Sequence, residues 1–252
     1  MSWFVPFGAV LWKAEFTTKQ LAVDSYGAAQ VLGDRTFQCD ATAVDTAADG
    51  TRAYALLDGI GDSPAVRAWT RTAARRLARA AAVRANAEAG LRAERAHYAA
   101  DPDRTVHHRL PAAVAVVAVH VPRGPLSVAW SGDARAYLLL DGHLRLLTED
   151  HNARRAYQGG DRNLVTPCLG AGHDDQETDP LWGHPAVEVL RGPARPARLL
   201  LASDGAYEPH EGADHDLPPN ASSRTPSDPY ADNATALIAH LDHARSTAPG
   251  GH

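Results

Sequence analysis

Ala53-Tyr54-Ala55-Leu56-Leu57-Asp58-Gly59-Ile60-Gly61-Asp62 is an apolar run that stops at an aspartate followed by glycine. A run this short, of small and aliphatic residues, reads as a buried strand over residues 53–57. From Pro64 the pattern changes. Val66, Trp69, Ala73, Leu77 and Ala80 recur every three or four residues, one face of an amphipathic helix with proline in its first turn. Asp58-Gly59 therefore leads from a strand toward a helix. An Asp-Gly pair is a weak signal alone, because it is also a favoured hairpin turn. Asp141-Gly142, between the apolar runs 136–140 and 143–147, reads as such a turn.

Outward from this stretch, residues 20–45 read as strand, turn, strand, punctuated by Gly27 and Gly33. The helical pattern that begins at Pro64 is expected to break at Gly90 and to resume to about Ala100. Residues 112–121 are apolar almost without interruption, as in a strand buried on both faces. Pro122-Arg123-Gly124-Pro125 turns the chain into a strand over 126–130. Residues 152–190 read as irregular, with one short helix around 153–157. Further strands are expected over 198–202 and 234–241. Between them, residues 209–229 are Pro, Asp, His and Ser with almost no large apolar side chain and read as a mobile loop; the tail after Ser246 reads as disordered. Strands, then long helices, then strands again make an α+β chain whose helices cover antiparallel sheets.

No Pro/Gly/Ser-rich linker divides the 252 residues, so one domain over 1–252 is expected, with its core in about 20–245. An apolar fraction of 44% is enough for a sizeable core. The net charge of −5 argues against nucleic acid or an anionic membrane surface as partner. Basic residues concentrate in 67–95, interleaved with alanine, and read as a solvated helix face. Cys39 and Cys168 are too few for a disulfide scaffold and suit a reduced, cytoplasmic setting. The apolar run 3–12 is interrupted by Pro6 and far too short to span a membrane, and reads as a first strand rather than a signal peptide.

Asp40, Asp58, Asp133, Asp204 and Asp232 each lie at the edge of an apolar, strand-like run. Carboxylates brought together repel, and burial adds to the cost, unless protons or cations compensate. Hard oxygen ligands without paired His or Cys favour magnesium or manganese over zinc, and those ions suit phosphate-ester hydrolysis. Asp58 is the candidate bridge between two ions. Gly59 and Gly61 leave room for backbone carbonyls to approach, and Arg35 is placed to clamp phosphate oxygens. The thirteen histidines show no zinc-like spacing and are expected at the surface. Cys39 reads as a small buried filler.

The order Arg35-Thr-Phe-Gln-Cys-Asp40, Leu56-Leu-Asp-Gly-Ile-Gly61, Ser131-Gly-Asp-Ala-Arg135, Leu147-Thr-Glu-Asp-His151, Leu201-Ala-Ser-Asp-Gly205 and Asp232-Asn233 resembles the metal-dependent serine/threonine protein phosphatases, the PPM or type 2C family, in a divergent bacterial-type form. The resemblance runs over residues 33–241. It implies a four-layer αββα sandwich, two packed antiparallel sheets flanked by helices, with two Mn2+ or Mg2+ ions at one end and a third, weaker one in many members. By position, Asp58 would bridge the ions, the Gly59 carbonyl would bind one, Asp204 and Asp232 would complete the other, Asp40 would act through water, and Asp133 with Asp204 would hold the third. Arg35 would clamp the phosphate, and residues 152–190 would form the flap.

The implied activity is hydrolysis of phosphoserine and phosphothreonine in proteins by metal-activated water, opposing a serine/threonine kinase. A noncatalytic pseudophosphatase acting as a binding module, or a small-molecule phosphohydrolase on the same fold, is the alternative. The chain departs from the family at Cys39, where Glu or Gln is usual, at Ile60 in place of His or Met, at Asp62-Ser63 in place of Gly-His, and at Pro111-Ala112-Ala113 in place of a Gly-Thr-rich stretch. The Cys39 departure removes a water-organising side chain, and the Ile60 departure leaves water to protonate the leaving group.

Overall fold

A computed structural model describes residues 25–106, 110–141, 143–172, 174–193, 197–210 and 232–241. The strands are β1 (Tyr26–Val31), β2 (Ala41–Thr46), β3 (Arg52–Gly59), β4 (Ala113–His120), β5 (Leu126–Ser131), β6 (Arg135–Leu140), β7 (His143–Leu146), β8 (Glu188–Arg191), β9 (Ala197–Ala202) and β10 (Ala234–Leu241). The helices are α1 (Pro64–Arg84), α2 (Ala87–Ala99), α3 (Pro102–Val106), α4 (Ala153–Ala156), α5 (Asp175–Trp182) and α6 (Asp204–Tyr207). Among the described residues the strands form two five-stranded sheets, ordered β1-β10-β9-β6-β7 and β2-β3-β4-β5-β8. All pairings are antiparallel, so the chain is α+β, as its sequence pattern implies.

The alternation of side chains along β4 explains how the layers stack. Ala115, Val117 and Val119 pack with Ala73, Leu77 and Ala81 of α1 and Leu91 of α2. Val114, Val116 and Ala118 point the other way, into a second core with Leu138, Leu199, Leu201 and Leu237 of the facing sheet. Every residue of β4 is buried, as expected of a strand covered on both faces. On the far face of the other sheet, Ala206 and Tyr207 of α6 pack with Tyr137, Ala202 and Ala234. The order is thus helix pair, sheet, sheet, with α6 representing the fourth layer among the described residues.

The structure revises several boundaries. Helix α1 does not end at Gly90. It ends at Ala85, whose φ of 48° is left-handed, and Asn86 caps α2 by accepting from the Ala89 amide. Gly90 lies inside α2 because a Cβ there would come 2.5 Å from the Ala81 Cα, so α1 and α2 cross in close contact. Gly27 lies within β1 rather than ending it. The stretch 152–190 is less irregular than its composition suggests: it holds α4, α5 with an Asp174–Glu177 capping box, and the start of β8. Arg95 is not on a solvated face. It is 8% exposed and donates to Ser131 Oγ and the Cys168 carbonyl. His120, His151 and His184 are buried, against the expectation of surface histidines. The Asp141 turn, φ 51°, joins β6 to β7 as read. The expected first strand over 3–12, the loop beyond His210 and the tail lie outside the described residues; Pro209 itself is in a 3-10 turn, Glu208–His210.

Candidate active site

Strand directions bring the aspartates together. Register pairs Ala41 with Leu57 and Gly59 with Ala113, so the start of β2, the end of β3 and the start of β4 share one end of their sheet. In the other sheet Ala202 pairs with both Ala236 and Arg135, which puts the end of β9 beside the starts of β10 and β6. Asp40 precedes β2, Asp58 is next to last in β3, Asp133 lies between β5 and β6, Asp204 follows β9 and Asp232 precedes β10. Asp58 interacts electrostatically with Asp40, Asp204 and Asp133, and Asp204 with Asp232. The five carboxylates therefore form one acidic group drawn from both sheets.

Two glycines permit this approach for a reason other than turn formation. A Cβ on Gly59 would lie 2.6 Å from the Cys39 carbonyl oxygen, and one on Gly205 would lie 2.3 Å from the Asn233 carbonyl oxygen. Neither has a positive φ. They are needed because the strand carrying Asp58 meets the segment carrying Asp40, and the start of α6, which carries Asp204, meets the segment carrying Asp232.

Burial is the main influence on these groups. It pushes Asp40 and Asp133 each up to about 7, although hydroxyls of Thr235 and Ser203 pull Asp40 the other way. Asp58, partly open to solvent although protein surrounds it, is raised well above the usual carboxylate range, first by desolvation and then by the charges of Asp40 and Asp204. A hydrogen bond links Asp58 and Asp204, so the two carboxylates share a proton. Ser203 Oγ donates to Asp40 Oδ2 at 3.0 Å, while the buried Asp40 Oδ1 has no partner among the described residues.

At the outer side Arg35 Nη2 meets Asp232 Oδ2 at 2.5 Å, both side chains being about two-fifths exposed (41% and 36%). With Asp58 bonded to Asp204 and Asp232 to Arg35, no three Asp, Glu, His or Cys among the described residues are disposed as an ion's ligands where they stand. The donor chemistry nevertheless fits a hard divalent cation: the side chains are all carboxylates, one buried oxygen is orphaned, and burial disfavours their ionised forms, a cost that a cation would offset.

Sequence reasoning missed most of the support. Asn233 accepts from the Cys39 amide at 2.7 Å and donates to the Leu32 carbonyl at 2.8 Å. The Tyr207 hydroxyl donates to the Asp133 carbonyl at 3.0 Å, and Arg135 stacks over its ring while forming a fork with Asp150. His151, fully buried, accepts from the Gly132 amide through Nδ1, which leaves Nε2–H to donate to Glu188 at 3.0 Å; Arg155 pairs with the same carboxylate. Ser203, Asn233 and Thr235 flank predicted aspartates and could have been found from that adjacency. His151 and Tyr207 could not, because their partners are distant in sequence.

The His151 network yields a pH expectation. Burial lowers His151 from 6.5 to about 4, so below pH 6.5 the unfolded chain takes up a proton that the fold refuses. Stability held at neutral pH is lost as pH falls from 6.5 toward 4, by about 3 kcal/mol. Glutamine at 151 can make both hydrogen bonds without titrating. Denaturant melts of His151→Gln and the parent should differ by an amount that shifts by this much, in the variant's favour, between pH 7 and pH 4. A constant difference refutes the assignment.

Comparison with known proteins follows the same lines. The sequence model of the protein phosphatase 2C family matches residues 47–156. No curated protein matches the chain. Among solved structures, a bacterial serine phosphatase is 16% identical with a TM-score of 0.59, over 88% of this chain and 99% of that one. The Mycobacterium tuberculosis serine/threonine phosphatase PstP/Ppp is 23% identical with a TM-score of 0.55, over 88% and 100%. PppA of Pseudomonas aeruginosa, described as a key regulatory component of T6SS, is 20% identical with a TM-score of 0.58, over 86% and 97%. At these identities the structural likeness establishes the fold. Together with the family match, it upholds the resemblance read from the motifs.

Proposed function

We propose that this PPM-type chain hydrolyses phosphoserine and phosphothreonine esters in proteins, using two Mn2+ or Mg2+ ions and opposing a serine/threonine kinase. The observation that carries the reading is the convergence of Asp40, Asp58, Asp133, Asp204 and Asp232 from both sheets on one end of the sandwich. Asp58, Asp204, Asp232 and the Gly59 carbonyl would hold the ions directly, Asp40 through water, and Asp133 with Asp204 a third. Such ions, when bound, supply Lewis acidity toward phosphoryl oxygens and make water nucleophilic near neutral pH.

The chain's own residues do the remaining work. The proton shared by Asp58 and Asp204 would leave when a cation binds between them. Arg35, released from Asp232, offers its planar fork to the nonbridging phosphate oxygens. Ser203 and Asn233 hold Asp40 and the Cys39 backbone in place throughout. Ile60, 48% exposed, brings no acid to the leaving oxygen, which takes its proton from water. The free thiols Cys39 and Cys168 suit a reducing, cytoplasmic setting.

A noncatalytic binding module is the rival, and the Arg35–Asp232 pair favours it, since each group occupies the other. Turnover with manganese separates the two. A phosphothreonine peptide and an aryl phosphate should both be hydrolysed, the peptide in preference to nucleotides and sugar phosphates. No hydrolysis of any of them would leave only the binding role, and a preference for nucleotides or sugar phosphates would make the chain a small-molecule phosphohydrolase.

A further inference from the structure

Arg35 sits on a segment that no strand holds. Residues 32–40 join β1 to β2 without a ladder of their own, so something else must fix where the guanidinium starts. Asp62 does this. Its Oδ2 accepts from the Thr36 amide at 2.9 Å and its Oδ1 from the Phe37 amide at 2.7 Å. Two successive peptide planes just after Arg35 are thereby tied to Asp62, two residues before α1 begins. A second, weaker tie joins the same two segments, the Cys39 thiol donating to the Ser63 carbonyl at 3.7 Å.

Asp62, Ser63 and Cys39 are positions at which this chain departs from the type 2C pattern. The departures are therefore not scattered. They meet across one junction, between the segment carrying Arg35 and Asp40 and the segment leading from Gly59 into α1. Glycine at 62 has no side chain with which to make these bonds. Carboxylate bonds to backbone amides are charge-assisted and stronger than neutral ones, so the tie outlasts the solvent exposure of the junction.

We propose that Asp62 is a positioning residue for phosphate binding, locking the Arg35 segment to the start of α1 so that the guanidinium is presented beside the acidic group. The inference rests on the phosphatase reading for what Arg35 binds, and on the two amide bonds for how it is held. A carboxylate so close to Arg35 could otherwise only repel an arriving phosphate, which gives the opposite sign.

The test is steady-state hydrolysis of a phosphothreonine peptide with manganese, with inorganic phosphate as competing inhibitor. Asp62→Ala should raise both KM and the phosphate inhibition constant roughly tenfold, the scale of a lost charged hydrogen bond, with kcat changed much less. Asp62→Asn, nearly isosteric and keeping one acceptor oxygen, should fall between. In an Arg35→Ala background Asp62→Ala should add nothing. Unchanged or tighter phosphate binding, or a full additional loss without Arg35, overturns the proposal. If the parent protein turns nothing over, the catalytic reading fails separately, and calorimetric titration of inorganic phosphate into the manganese-loaded protein takes over. The same tenfold weakening supports Asp62's role there, while equal affinity, or no phosphate binding by the parent, ends it.

Discussion

Asp58→Asn is expected to lower kcat/KM by about a thousandfold or more while raising the melting temperature of the ion-free protein. The two effects have one cause. Asp58 touches both neighbours that would share its ions, Asp204 by hydrogen bond and Asp40 by charge, so no other residue replaces it. Removing a bridging carboxylate costs the chemistry of both ions at once, and groups that act as a unit lose nearly everything together. Without ions the same carboxylate is a liability, because desolvation and the charges of Asp40 and Asp204 all disfavour its ionised form. Asparagine keeps the size and can still donate to Asp204.

The sign follows from linkage. Asp58 is raised in the fold, so its ionisation weakens the fold as pH rises above the unfolded value of 3.8. The advantage of Asp58→Asn in chelator should be absent at pH 4 and grow toward pH 8, reaching a few degrees on the scale of about 2–4 °C per kcal/mol for chains of this size. Calorimetry in chelator and aryl phosphate turnover in manganese measure the two halves. A variant retaining a tenth of the activity, or melting below the parent at pH 8 in chelator, would remove Asp58 from its central place.

What was legible in the sequence was what depends on local pattern. The uninterrupted apolar run in β4, the helical spacing from Pro64 and the turn at Asp141 all read correctly, because periodicity and turn chemistry are local properties. The aspartates were legible as a set because each ends or precedes such a run. Asp58-Gly59 and Asp141-Gly142 look alike as dipeptides, and although their flanking patterns separate strand end from hairpin, only the structure shows that Gly59 is needed to avoid a clash with Cys39. Gly90 misled for the same reason. Its role is a contact with Ala81 on another helix, invisible to a rule that treats glycine as punctuation. Arg95 was read as solvated from its Ala/Arg neighbourhood, although its partners, Ser131 and Cys168, lie far along the chain. The supporting shell was illegible because hydrogen bonds such as Asp62 to Thr36 or Tyr207 to Asp133 join segments that only tertiary folding brings together.

Removing divalent ions should steepen the loss of stability with rising pH. Asp40 and Asp133, 2% and 9% exposed, titrate at about 7 in the fold and near 3.8 unfolded. Between those values the folded chain keeps protons that the unfolded chain has lost, so stability falls as pH rises from about 4 to 7 and then levels. Asp133 contributes about 4 kcal/mol to that fall, and Asp40 adds to it in the same direction. His151 acts in the opposite direction over 4 to 6.5, but its roughly 3 kcal/mol is smaller than the two carboxylates together, and Asp58 adds to their side. The net slope in chelator is therefore negative.

With manganese the protons are displaced by cations, whose binding strengthens as the carboxylates ionise. At an ion concentration about a hundredfold above the dissociation constant the folded state gains about 2.7 kcal/mol, a gain available at pH 7.5 and absent at pH 4. Unfolding free energies across pH 4 to 8 should fall with pH in chelator and fall by about 3 kcal/mol less in manganese, the two curves parting above pH 5. Curves that stay parallel would mean that the acidic group takes up no ion, and the case for a metal-dependent hydrolase would then have lost its chemistry.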